Sequence, residues 1–371
     1  MLLLIPYHGS RFIWKEQLNR GGDSEVLAAV IWFVHAWHMP LFFLVSGYLL
    51  AMALERSGAN RQASNRVTRL GIPLVIGMLT IIPLSNLFIV WAAPDNPNAA
   101  IQRTTELADL YNWRPLHLWF LNYLLFASLI GIGIWLLGRR YAFGAAAKRG
   151  FRALASSRWL IPVLALVGGL LLSLTDHWQI PPASDSLVPV WPLLGYYVLF
   201  LMFGFGVSYQ PDIVSRIAGR PWTYALITAI SFPFAWILFR PEPVINGPPL
   251  EHLAATIVLG VMTWSALFAV WGFFSRFAAT ESRFWRYVSD ASYWVYLIHI
   301  IFLAPVQILF AQTEIDASLR YALTLLITFT LSFLTYALFI RHSPVGTFLH
   351  GRRPSARQRR RERRRQATAE A

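Results

Sequence analysis

Residues 26–54 read VLAAVIWFVHAWHMPLFFLVSGYLLAMAL, a run with no Asp, Glu, Lys or Arg. About 20 apolar residues in a helix cross the hydrocarbon core of a bilayer, so this run predicts a membrane-spanning helix. The composition of the whole chain agrees. Of its 371 residues, 56% are hydrophobic and 13% are charged, about half the charged share of a soluble domain. These figures exclude a water-soluble globular enzyme.

Eight more apolar runs of similar character follow the first. The nine predicted complete spans are Val26–Leu54, Leu70–Trp91, Leu116–Leu137, Trp159–Thr175, Val188–Tyr209, Trp222–Phe239, Leu253–Phe277, Ser289–Phe310 and Ser318–Ile340. Met1–Trp14 is also apolar, but it is too short to cross alone at about 1.5 Å per residue. We interpret it as the outer part of a first helix whose beginning is missing from the sequence. We therefore predict an all-α, polytopic membrane helix bundle of about ten spans, with the first span incomplete.

The positive charges predict an orientation. The loops and tail on one side of the predicted bundle carry 25 of the 32 Lys and Arg, and the other side carries 7. Positive residues concentrate on the cytoplasmic side of membrane proteins, so both chain ends are expected in the cytoplasm. The domain organisation is then a membrane domain at 1–340 and a basic tail at 341–371. The tail reads RRRERRR at 359–365, and we expect it to be disordered and to bind anionic lipid rather than nucleic acid.

Histidines are the main ionisable residues left inside the predicted spans, because all 18 Asp and Glu fall in loops or at span ends. Ionisable residues are costly inside a membrane and are candidates for functional sites. The candidates are His8, His35, His38, His117 and His299. Their depths place His8 near the pair His35 and His38 in the outer half of the bundle.

Neutral imidazole suits general base chemistry near neutral pH, and we favour that role for His8. For His35 and His117 we favour a structural hydrogen bond. We expect no metal site, because neither Cys nor an intramembrane carboxylate completes the three or four ligands that zinc prefers.

Four short motifs are more specific than composition. They read HMPLFFLVSGY at 38–48, RVTRLGIP at 66–73, HLWFL at 117–121 and SYWVYLIH at 292–299. In the first motif, Pro40 can bend the helix, and the small residues Ser46 and Gly47 permit close helix packing. In the second, Arg66 and Arg69 lie three residues apart and are either placed to bind a phosphate or part of the ordinary cytoplasmic charge.

Taken in this order, the motifs resemble the acyltransferase 3 family of bacterial integral-membrane acyltransferases. Within it they are most similar to the glucan-biosynthesis C-type proteins, which succinylate periplasmic glucans. The resemblance extends from about Met1 to Ile340. The family signature pairs the catalytic His with an Arg that would fall upstream of Met1, so the sequence either begins too late or lacks half of the signature.

The resemblance implies an O-acyltransferase of the bacterial inner membrane. Its donor is cytoplasmic acyl-CoA, such as succinyl-CoA or acetyl-CoA, its acceptor is a carbohydrate hydroxyl, and no cofactor is permanently bound. By resemblance His8 is the catalytic base, and Arg66 and Arg69 bind acyl-CoA. The residues expected to position the acceptor or stabilise the oxyanion are His38, Trp119, His299, His35 and His117. The alternative from another class is a transporter or flippase for a glycan or lipid precursor, which would ordinarily place Asp or Glu in its spans.

Overall fold

The computed structural model describes residues 4–11, 25–92, 115–141, 144–175, 186–239, 249–277, 282–311, 313 and 315–350. The described chain is helical and contains no strand. Its α-helices are α1 (Leu4–Arg11), α2 (Glu25–Ser57), α3 (Ala59–Arg66), α4 (Ile72–Ala92), α5 (Trp119–Arg140), α6 (Gly144–Ser156), α7 (Leu160–Ser173), α8 (Trp191–Val207), α9 (Pro211–Ala218), α10 (Pro221–Phe239), α11 (Pro249–Phe277), α12 (Arg283–Ala311), α13 (Ala317–Thr335) and α14 (Pro344–His350). A 3₁₀ turn lies at Leu116–Leu118, and π turns lie at Val67–Gly71 and Tyr336–Ile340.

The predicted fold class is confirmed, because the chain forms an all-α, polytopic membrane helix bundle. Seven helices of the described chain are long and apolar enough to span a membrane, and the number reaches nine if each of two bent helix pairs counts as one span. Each of the nine predicted complete spans coincides with a helix. Several helices are longer than the predicted apolar spans, because polar residues that flank the span are also helical. Thus α12 begins at Arg283 rather than Ser289.

Each bent pair joins an apolar helix to a short amphipathic one. The bend is 111° between α6 and α7 and 110° between α8 and α9. The two short helices meet through an ion pair of 2.9 Å between Arg152 of α6 and Asp212 of α9. They lie at the end of the bundle that carries Arg61, Arg139 and Lys148, which we call the basic face.

A direct backbone contact joins α2 to α8. A Cβ added to Gly47 would collide with the carbonyl of Leu201, and one added to Gly204 would collide with the carbonyl of Leu44. Since lipid offers helices no hydrophobic reason to associate, close packing of small residues supplies the attraction. The close approach predicted at Gly47 is therefore confirmed. A similar contact joins α7 to α11, where Thr256 donates a hydrogen bond of 3.0 Å to the carbonyl of Gly169.

A short helix follows the last predicted span. Helix α14 occupies Pro344–His350 and contacts α12 and the π turn at Tyr336–Ile340. Residues 351–371 of the tail, and residues 1–3 and 12–14 of the segment Met1–Trp14, lie outside the described residues.

Candidate active site

Helix α1 carries His8 into the bundle, where the helix contacts α2, α12 and α13. Two hydrogen bonds from neighbouring helices hold its backbone. The hydroxyl of Tyr321 donates to the carbonyl of Pro6 at 2.8 Å, and the amide of Gln307 donates to the carbonyl of Gly9. A Cβ on Gly9 would lie 3.2 Å from the Tyr321 ring, so the absence of a side chain allows this close packing. The position of His8 is thus fixed by polar contacts as well as by burial.

His8 lies against His299 of α12, with 5.4 Å between the ring centroids. His299 is fully buried, and its Nδ1 lies 2.7 Å from the carbonyl oxygen of Tyr296. Because a carbonyl only accepts, Nδ1 carries the proton and Nε2 keeps its lone pair. Nε2 has no hydrogen-bond partner among the described residues. The contact therefore brings a second basic nitrogen into the interior near His8.

The third imidazole, His117, is held by an unusual backbone. It follows Leu116, whose φ of 43° is the one positive φ outside glycine in the described chain. This left-handed conformation costs a non-glycine residue about 1–3 kcal/mol. The hydroxyl of Tyr296 donates to the His117 carbonyl at 2.9 Å, so α12 holds the strained turn in place.

The ring of His117 is itself bonded to α12. Its Nε2 lies 3.3 Å from the carbonyl oxygen of Leu297, and its centroid lies 5.6 Å from that of His299 at an angle of 88°. The expected structural hydrogen bond is therefore present. The same bond also places this imidazole directly on His299.

Helix α2 contributes the remaining two imidazoles, His35 and His38, whose centroids are 5.3 Å apart. Nδ1 of His38 lies 2.9 Å from the carbonyl of Val34. Two residues further on, Pro40 lacks the N–H that would bond to the carbonyl of residue 36. Thr263 of α11 donates to that carbonyl at 3.5 Å, so α2 continues through the proline.

We call these five histidines the imidazole cluster: His8, His35, His38, His117 and His299. The other four all lie within electrostatic range of His8. His38, His117 and His299 are buried, and His8 and His35 are half-buried. No group of three or more His, Asp or Glu in the described chain is arranged to hold a metal ion.

Trp119 lies apart from the cluster in a group of aromatic rings. Its centroid is 5.6 Å from that of Tyr123 and 5.7 Å from that of Tyr197. The described ring contacts of Trp119 are therefore with aromatic side chains rather than with the histidines.

The predicted pair Arg66 and Arg69 lies at the π turn Val67–Gly71, with Arg66 at the end of α3 and Arg69 within the turn. The two guanidinium groups are within electrostatic range of each other, although they differ in burial. Arg66 is half-buried and donates to the Ser46 hydroxyl at 3.2 Å. Arg69 is exposed, and its carbonyl accepts a hydrogen bond of 2.7 Å from Tyr293.

Two tyrosines that sequence reasoning did not single out connect Arg69 to the cluster. Tyr293, Tyr296 and His299 are three residues apart on α12 and share a helix face. The two tyrosine rings stack at 6.5 Å, and Tyr296 lies 6.3 Å from His299. The spacing within SYWVYLIH is the signal that could have found them.

The fold and the site define an integral-membrane helical protein with clustered imidazoles inside and arginines toward one face. The chain belongs to the acyltransferase 3 family, since the profile of that acyltransferase domain matches residues 1–337. The predicted family is thus confirmed, and the protein is a membrane acyltransferase. It is 26% identical to the glucans biosynthesis protein C of Salmonella schwarzengrund, Salmonella heidelberg and Salmonella typhi, over 81% of this chain and 78% of each relative. No solved structure matches the chain.

Proposed function

We propose that the protein transfers an acyl group from cytoplasmic acyl-CoA to a carbohydrate hydroxyl, with His8 as the general base. The observation that carries the proposal is the contact of His8 with His299 inside a bundle that belongs to an acyltransferase family. Such an interior is rich in imidazole nitrogens with a lone pair that can accept a proton, and poor in carboxylates and amines.

The reaction needs one proton to move twice. His8 removes the proton from the acceptor hydroxyl while the oxygen attacks the carbonyl carbon of the thioester. The new C–O bond forms, the C–S bond breaks, and the imidazolium returns the proton to the departing CoA thiolate. The oxyanion formed in between needs a positioned donor. His38, His117 and His299 each direct the one N–H of a neutral imidazole to a backbone carbonyl, so in that state they can orient the acceptor hydroxyl through the other ring nitrogen, and His35 is the candidate donor. No covalent enzyme intermediate is required.

The donor is expected at the basic face, which we assign to the cytoplasm of a bacterial inner membrane with the C-terminus inside. The 25 to 7 division of Lys and Arg supports this orientation. Arginine binds phosphate groups through paired hydrogen bonds, and Arg66 and Arg69 lie between the basic face and the cluster. Succinyl-CoA and acetyl-CoA fit this reasoning equally.

The acceptor is proposed to be a glucan, on the strength of the names of the relatives. The test uses inverted membrane vesicles that enclose a soluble glucan and receive radiolabelled succinyl-CoA or acetyl-CoA from outside. Acyl transfer predicts label in the recovered glucan with one of the two donors, and none in vesicles without the protein. A transporter or flippase would instead move glycan or lipid without labelling it. Absence of label with both donors would contradict the proposal.

A further inference from the structure

A cavity of about 730 Å³ opens on the basic face beside the turn between α2 and α3. This volume is within the usual range for small-molecule sites. Its lining consists of Ser57, Gly58, Ala59, Asn60, Arg61, Trp135, Leu136, Arg139 and Arg140. None of these residues belongs to the imidazole cluster or to the pair Arg66 and Arg69.

The cavity is cationic. Arg61, Arg139 and Arg140 are exposed, and none forms an ion pair with a described residue. Glu55, a carboxylate within electrostatic range of Arg139, accepts hydrogen bonds from the Trp135 indole at 3.3 Å and from the Tyr209 hydroxyl at 2.8 Å.

The cavity also offers a flat aromatic surface. The indole of Trp135 is fixed by its hydrogen bond to Glu55, and the guanidinium of Arg139 lies 4.8 Å from the ring centroid. Indole rings and guanidinium planes are the surfaces on which nucleic-acid bases stack. Unpaired arginines beside such a surface match a ligand with both a base and a phosphate.

The cavity lies on the proposed route of the donor into the bundle. From Arg61 at its wall, α3 rises about 7.5 Å to Arg66. Arg66 donates a hydrogen bond to Ser46 of α2. Ser46 lies eight residues, or about 12 Å, from His38 along that helix. The cavity, Arg66 and the cluster thus form three successive levels from the basic face inward.

We propose that this cavity binds the adenosine 3′-phosphate end of acyl-CoA. Arg139 and Arg140 bind the 3′-phosphate, and the adenine lies beside Trp135. Arg66 and Arg69 then bind the diphosphate, and the pantetheine arm extends inward so that the thioester lies near His8. This assignment rests on the proposed function.

The test compares CoA with dephospho-CoA, which differs only by the absence of the 3′-phosphate. Binding of each compound to the full-length protein in phosphatidylcholine nanodiscs is measured by titration calorimetry. The wild type is expected to bind CoA about tenfold more tightly than dephospho-CoA, because a hydrogen bond between a guanidinium and a phosphate contributes about this factor to affinity. The double variant Arg139→Gln/Arg140→Gln is expected to reduce this ratio to about one.

The matched control is Arg149→Gln/Arg283→Gln, which removes two exposed arginines outside the cavity and is expected to keep the wild-type ratio. All four arginines are exposed, so monodisperse elution from a sizing column checks that both variants are folded.

An unchanged ratio in Arg139→Gln/Arg140→Gln, or equal weakening of both compounds, overturns the assignment while leaving the proposed function intact. A wild type that binds neither compound and labels no glucan overturns the proposed function itself.

The titration is repeated in phosphatidylglycerol nanodiscs. Two results together would assign the cavity to a lipid headgroup and overturn the proposal. In these nanodiscs the wild type would no longer prefer CoA over dephospho-CoA, and phosphatidylglycerol would stay bound to the wild type but not to the double variant.

Discussion

Replacing Tyr296 with Phe removes one hydroxyl and keeps the ring that packs against His117 and His299. Tyr296 is 1% exposed, so the carbonyl of His117 would lose its donor at a buried site. An acceptor left unsatisfied in this way costs about 1–3 kcal/mol. The left-handed conformation of Leu116 stores a similar energy, about 1–3 kcal/mol. The hydrogen bond and the strain are therefore comparable, and losing the bond allows the turn to relax and His117 to leave His299.

We expect Tyr296→Phe to lower kcat about fivefold or more, since about 1 kcal/mol of lost alignment corresponds to that factor. The assay measures kcat with labelled acyl-CoA and glucan, and Tm by thermal unfolding. The matched control is Tyr123→Phe. Tyr123 is equally buried, and its hydroxyl accepts the N–H of Val190 at 2.8 Å, but it lies outside the imidazole cluster.

Tyr123→Phe is expected to lower Tm by an amount similar to Tyr296→Phe while keeping kcat. A Tyr296→Phe variant with reduced Tm but wild-type kcat would refute the idea that the strained turn positions His117 for the reaction.

Two further predictions concern packing and the donor. Gly47→Ala places a Cβ against the carbonyl of Leu201 and is expected to lower the free energy of unfolding by about 1–3 kcal/mol, measured by denaturant titration. The control Gly133→Ala is expected to keep the wild-type stability, because no atom lies within 4 Å of the added Cβ. Equal stability of the two variants would refute the close contact. Arg66→Glu/Arg69→Glu is expected to raise the KM for acyl-CoA at least about tenfold through charge repulsion, and an unchanged KM would remove the pair from the donor site.

The spans could be predicted from sequence because each is a local property of length and hydropathy. The bends at α6–α7 and α8–α9 were not predicted, because they arise where short amphipathic helices lie across the ends of apolar ones. The π turn that contains Arg69 was also not predicted. The prediction assumed α-helical spacing, and no residue in the motif at 66–73 indicates a π turn.

The imidazole cluster could be predicted only in part. Counting residues along a helix gave similar depths for His8 and the pair on α2, and depth is what helix rise determines. The contacts of His299 with His8 and His117 depend instead on which helices are neighbours, which hydropathy does not reveal. The catalytic, acceptor and donor roles of all these residues remain predictions.

The central claim is that His8 removes a proton inside the bundle, and purified His8→Ala tests it most directly. We expect kcat for labelled acyl transfer to fall about 10²–10⁴-fold, the usual contribution of a general base, while the Kd for CoA stays unchanged. His342→Ala is the matched control, because His342 is exposed and outside the cluster, and it is expected to keep the wild-type kcat. Turnover of His8→Ala close to that of the wild type would contradict the account.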